Sequence, residues 1–89
     1  MKSRTNAQFR NLYAELPQQV QQQARAAYRQ FKEDIWHPSL RFKSVHPNLP
    51  IYSARVSKNY RAVGVRNESG IIWFWIGTHA DYDKLLSQL

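Results

Sequence analysis

The sequence predicts an α+β domain: an N-terminal helical hairpin packed on an antiparallel sheet of about four strands, followed by a short C-terminal helix. Three observations point there. Apolar residues recur at helical spacing from Phe9 to Ile35, the period changes to two after His37-Pro38, and a helical stripe returns at Tyr82, Leu85, Leu86 and Leu89. A chain of 89 residues has room for one core, so positions 1–89 are expected to form a single domain whose chemistry sits on a surface or shallow groove.

The elements follow in order. Phe9, Leu12, Tyr13 and Leu16 fall at i, i+3, i+4 and i+7, one stripe of a helix that Ser3 or Thr5 is placed to cap. Pro17 ends that helix or opens the next. Val20, Ala24, Ala27, Tyr28, Phe31 and Ile35 continue the spacing, while Gln18, Gln19, Gln21, Gln22, Gln23, Arg25, Arg29 and Lys32 fill the outward positions. His37 precedes a proline and is pushed out of the α region. Strands are then expected at Leu40 to Val45, Ile51 to Ser57, Tyr60 to Arg66 and Ile71 to Gly77, with turns at His46 to Pro50, Lys58-Asn59 and Glu68 to Gly70. Connections this short make neighbouring strands antiparallel. Ile71 to Ile76 is apolar throughout, which predicts a strand covered on both faces. Thr78 and Asp81 form a variant capping box for the last helix, with His79 in its first turn, where backbone N–H groups favour an anion. Phe9, Leu12, Val20, Tyr28, Phe31, Phe42, Trp73 and Trp75 are the candidate core.

Composition narrows the function. There is no Cys, which excludes disulfides, thiol catalysis and thiolate metal sites. No apolar run approaches the ~18 residues of a membrane span, and the first 20 residues show no leader pattern, so a cytoplasmic protein without a membrane partner is expected. The net charge of +7 is concentrated: from Ile35 to Asn67 no acid occurs, while Arg41, Lys43, Arg55, Lys58, Arg61 and Arg66 do. Such density suits a phosphate backbone, the alternative being a solvated basic face. Strand alternation puts Arg41 and Lys43 on one face, with Leu40 and Phe42 on the other. Ser53 and Arg55 share a side. Arg61 shares its face with Val63 and Val65, so the final helix or a partner must cover those valines.

The run Tyr60-Arg61-Ala62-Val63-Gly64-Val65, then Trp73-Phe74-Trp75-Ile76-Gly77-Thr78-His79 and Asp81-Tyr82-Asp83-Lys84-Leu85, resembles the RelE/ParE toxin superfamily of bacterial toxin-antitoxin modules. The helical hairpin and His37 to Lys43 fit the same pattern, and the resemblance covers about Leu16 to Leu89. Members open with a β-strand before the hairpin, whereas here a polar helical segment is expected. The resemblance implies a small toxin neutralised by a cognate antitoxin, whose ribonuclease branch cuts mRNA, commonly on the ribosome. Cleavage in that branch needs no metal or other cofactor: the 2′-hydroxyl attacks the adjacent phosphate, leaving a 2′,3′-cyclic phosphate and a free 5′-hydroxyl. The same fold also serves DNA gyrase poisons, and a catalytically inactive binding module is a third reading.

Carried onto this chain, the resemblance makes Arg61 the phosphate-binding arginine, Lys43 and Arg41 the basic residues of the early strand, and His79 with Tyr82 the acid-base and stacking or proton-handling positions. The chemistry agrees in outline, since attack by a 2′-hydroxyl needs a proton acceptor, a donor for the departing 5′-oxygen and cations for the phosphorane oxygens. Imidazole titrates near cellular pH, which suits His79 to proton transfer. Arg61, supported by Arg55, offers a planar fork to the nonbridging oxygens, and Lys43 offers electrostatics or a proton. Tyr82 could stack on a base or bond a phosphate. Lys43, Arg61, His79 and Tyr82 are therefore the catalytic candidates, and Arg41, Arg55, Lys58 and Arg66 the RNA- or phosphate-binding ones. Each has a structural alternative: His79 as a helix-end residue, Tyr82 as core, Arg61 paired with Asp81 or Asp83. His37 and His46 read as loop residues, Trp73 and Trp75 as core, and the histidines and Asp81 show no metal-ligand spacing.

Overall fold

In the computed structural model, which describes residues 1–89, strand β1 (Lys2–Thr5) leads into the helical hairpin of α1 (Ala7–Ala14) and α2 (Gln18–Glu33). A turn of 3-10 helix at Pro38–Leu40 then precedes β2 (Lys43–Ser44), β3 (Ile51–Ser57), β4 (Tyr60–Asn67), β5 (Gly70–Thr78) and α3 (His79–Gln88). The sheet order is β1-β5-β4-β3-β2, antiparallel except where β1 runs parallel to β5. The α+β architecture is as expected, with three differences in detail.

The first concerns the N-terminus. Lys2 to Thr5 is an edge strand rather than part of a helix, and Asn6 is the cap, its side chain accepting from the Phe9 N–H at 2.9 Å. A short polar segment carries no apolar period, so what makes it a strand is long-range. It lines the free edge of β5, and the half-buried Ser3 accepts the Trp73 indole N–H at 3.0 Å and the Tyr28 hydroxyl on its carbonyl at 3.2 Å. The chain therefore opens with a strand.

The second difference is the first long strand, of which only Lys43–Ser44 pairs. His37 accepts from the Ser39 N–H through Nδ1, Pro38 starts the 3-10 turn, and Arg41 adopts a left-handed φ of 45°. Simple alternation fails across Leu40 to Lys43 for that reason, although Leu40 and Phe42 do enter the core together.

The third lies in β5. Opposite the single step from Val63 to Gly64, β5 has two, so Phe74 is an extra residue in a bulge. Trp73 and Trp75 consequently face opposite sides. Trp73 joins Phe31, Leu40, Phe42, Ala54, Ala62, Ile71 and Ile76 under the hairpin, whereas Trp75 packs with Ile51, Val63, Val65, Tyr82, Leu85 and Leu86 under α3 and is only half-buried. The final helix thus covers the valines that share a face with Arg61. On the hairpin side, α1 lies over β5 and α2 over β3. Between them is an apolar cleft of about 390 Å³ lined by Phe9, Tyr13, Tyr28, Phe31, Trp73 and Ile76, which leaves Phe9 and Tyr28 only partly buried. No helix is long and apolar enough to cross a membrane.

Candidate functional site

The two-residue turn at Lys58-Asn59 folds β3 onto β4 so that Arg55 stands directly opposite Arg61. Like charges in direct register repel, so the pair is unfavourable unless an anion or local dipoles compensate. Part of that compensation is internal: Arg61 Nη1 donates to the carbonyls of Ser57 at 2.7 Å, Tyr60 at 2.9 Å and Lys58 at 3.4 Å, closing the turn around its own guanidinium. Burial, then Arg55 and more weakly Arg41, hold Arg61 below the ordinary arginine range, offset by Tyr82 and Asp83. The guanidinium remains charged at any cellular pH. Arg55 has no such relief. Its Nε is buried without a hydrogen-bond partner, an arrangement that costs stability and suits a group meant for a ligand.

Helix α3 begins beside this pair. Thr78 caps it, accepting from the Asp81 N–H at 3.2 Å, and the His79 N–H donates to the Asn59 carbonyl at 2.8 Å, which ties the helix start to the β3–β4 turn. The His79 imidazole is about half exposed, with Nε2 3.6 Å from the Asp83 carboxylate one helical turn on. Its ring lies 5.6 Å from that of Tyr82. Tyr82 is 6% exposed, and its hydroxyl donates to Ser53 Oγ at 3.0 Å. Ser53, itself buried, is paired in register with Lys43 on one side and Val63 on the other, so Lys43 projects on the α3 side at the sheet edge. Trp75 completes this face, its ring over Gly77 and 6.5 Å from Tyr82.

The structure thus brings Lys43, Arg55, Arg61, His79 and Tyr82 to one face, with Arg41 near enough to influence Arg61 electrostatically. Lys58 is exposed on the turn and contributes its carbonyl to Arg61. Arg66 lies elsewhere: its guanidinium sits over Tyr52, Phe42 and Trp36, on the hairpin side of the sheet. Tyr82 is too deeply buried to stack on a base and works as a strut between His79 and Ser53. Arg61 bonds turn carbonyls, not Asp81 or Asp83. Neither His37 nor His46 joins the site. Two backbone N–H groups, from Asn48 and Leu49, converge on His46 Nδ1, so Nε2 carries the proton it donates to Leu89 O. That bond fastens the far end of α3. Two participants were not read from sequence: Ser53, visible only as a polar residue at an inward strand position, and Asp83, whose spacing from His79 along a helix was the available signal.

A model of the ParE-like toxin domain matches residues 18–84. Among solved structures, the chain is similar to a RelB-RelE antitoxin-toxin complex from Methanococcus jannaschii, with a TM-score of 0.72, 13% identity, and 91% of this chain and 95% of that one covered. It is similar also to the toxin-antitoxin complex RelBE2 from Mycobacterium tuberculosis, with a TM-score of 0.61, 19% identity and coverage of 90% and 92%. A copper-bound mutant toxin from Helicobacter pylori matches with a TM-score of 0.62, 13% identity and coverage of 91% and 97%. Comparison with curated protein sequences finds no match.

Proposed function

The chain belongs to the ParE-like toxin family, and from that premise we propose that it is the toxin of a type II toxin-antitoxin module acting as a metal-independent mRNA endoribonuclease on the ribosome. The observation that carries this reading is the Arg55–Arg61 pair, with one guanidinium nitrogen buried and unpartnered, set beside the exposed His79. A phosphodiester placed there meets two guanidinium groups at its nonbridging oxygens, where charge grows as the phosphorane forms. The 2′-hydroxyl loses its proton as its oxygen bonds to phosphorus, and the P–O5′ bond breaks as O5′ takes up a proton. His79 supplies one of these transfers, held by Asp83 and by its own backbone bond to Asn59. Lys43 adds positive potential at the edge. Tyr82 positions the imidazole without touching substrate.

One observation favours a second reading. The matching family model is the ParE-like one, and ParE-type toxins poison gyrase through protein contacts. Replacement of His79 separates the two. His79→Gln should keep the fold and most RNA affinity while lowering cleavage by on the order of 10² to 10⁴-fold. Cleavage should survive EDTA on naked RNA, or persist where Mg²⁺ is supplied only to maintain ribosomes. Growth arrest undiminished in His79→Gln supports gyrase inhibition instead.

The partner follows from charge and shape together. With α3 already covering the valines, the open apolar surface is the cleft between α1 and α2, rimmed by Arg10 and Arg25. An acidic amphipathic segment of a cognate antitoxin suits that cleft, laying apolar side chains inside and carboxylates along the rim.

A further inference from the structure

Trp36 is 60% exposed, more than any other large apolar side chain of the protein. It is held out rather than left loose. Its N–H donates to Asp34 Oδ1 at 3.0 Å, the next N–H, from His37, donates to the Asp34 carbonyl at 3.1 Å, and the ring packs on Phe42 with centroids 5.5 Å apart. Arg66 lies alongside, its guanidinium 6.0 Å from the Trp36 ring and 5.2 Å from that of Tyr52, with no carboxylate partner. Asp34, two residues before Trp36, is occupied by the backbone of the turn, and Glu68, two residues after Arg66, makes no ion pair with it.

We propose that Trp36 and Arg66 form a stacking site for an unpaired base of single-stranded RNA that leaves the Arg55–Arg61 face around the β2 edge. This rests on the RNA-cleavage reading. Phe42, against which Trp36 packs, is buried and lies between Arg41 and Lys43 in sequence, so the indole stands beside the segment that carries those two cations toward the cleavage face. Aromatic faces bind bases of any identity, and a guanidinium beside them adds charge for the neighbouring phosphate. An acidic protein segment would suit the apolar cleft between the helices better than one projecting ring beside a cation. Arg61 and Arg66 lie on opposite faces of β4, so a dinucleotide occupying the cleavage face cannot reach Trp36.

The test uses the full-length protein and fluorescence anisotropy with a 12-nucleotide 2′-O-methyl RNA, which lacks the attacking hydroxyl, and with the corresponding dinucleotide. Trp36→Ala should weaken 12-mer binding about tenfold, equivalent to ~1.4 kcal/mol, and leave dinucleotide binding unchanged. Trp36→Tyr should recover most of the loss. Equal 12-mer affinity in wild type and Trp36→Ala, or no binding of the free 12-mer by the wild type, overturns this proposal and leaves the ribosomal cleavage reading standing. Equal weakening toward 12-mer and dinucleotide, or loss of antitoxin binding alone, also overturns it.

Discussion

Replacing Tyr82 with Phe tests whether this side chain is a strut or a reagent. The substitution keeps the ring and removes only the hydroxyl that donates to Ser53 at 3.0 Å. Both residues are buried, Tyr82 at 6% and Ser53 at 2% exposure, so water cannot replace the lost donor. Removing one partner of a buried hydrogen bond costs about 1 to 2 kcal/mol, because the other is left unsatisfied. In a domain this small that lowers the melting temperature by roughly 5 to 15 °C. Ser53→Ala should cost a similar amount, while the double variant should fall short of the sum by about 1 kcal/mol, since neither buried group is then stranded. Cleavage by Tyr82→Phe, measured well below its melting temperature, should drop less than about tenfold, because the retained ring, packed against Trp75, still lies beside His79. Unchanged stability together with a cleavage loss of about 10³-fold would refute the strut and make the hydroxyl a participant in the chemistry.

Three other outcomes follow from the same geometry. Arg61→Ala should both destabilise the protein, because Nη1 closes the β3–β4 turn on three carbonyls, and weaken RNA binding; the log affinity against log salt slope should shrink by about 0.7, the share of one phosphate contact. Gly70→Ala should lower the urea midpoint by an amount equal to about 2 kcal/mol or more, since Gly70 has a φ of 155° and an added Cβ would lie 1.9 Å from the Lys2 carbonyl oxygen; hydrogen exchange should show the Asn6 amide, bonded to Trp73, losing protection. Expressed from its native operon, the protein should purify at physiological salt with a second, acidic chain, and recovery of the basic chain alone would count against an antitoxin.

The elements that carry their own period were legible in the sequence. The stripe from Val20 to Phe31 gives α2, Thr78 with Asp81 gives the start of α3, and the turn at Lys58-Asn59 fixes the hairpin that places Arg55 against Arg61. What escaped was set by distant partners or by single-residue irregularities. Lys2 to Thr5 has no apolar alternation and becomes a strand because β5 offers an edge. Arg41, in a left-handed conformation, truncates β2, and the extra residue Phe74 sends Trp73 and Trp75 to opposite faces. The site shows the same division. The family resemblance and residue type single out His79 and Arg61 as candidates, but the burial of Tyr82 against Ser53 depends on where α3 lies across the sheet. Arg66 shares a charge run with Arg61, yet their strand positions have opposite parity.

On the proposed mechanism, the face holding Arg55, Arg61 and His79 breaks RNA by attack of the RNA's own 2′-hydroxyl. Induced expression followed by transcript end mapping tests it directly, with plasmid supercoiling followed in the same cells. The wild type should produce new 5′-hydroxyl ends and matching 2′,3′-cyclic phosphate ends within mRNA, strongly reduced in His79→Gln, with supercoiling unaffected. Intact transcripts accompanied by growth arrest and inhibited supercoiling would contradict it.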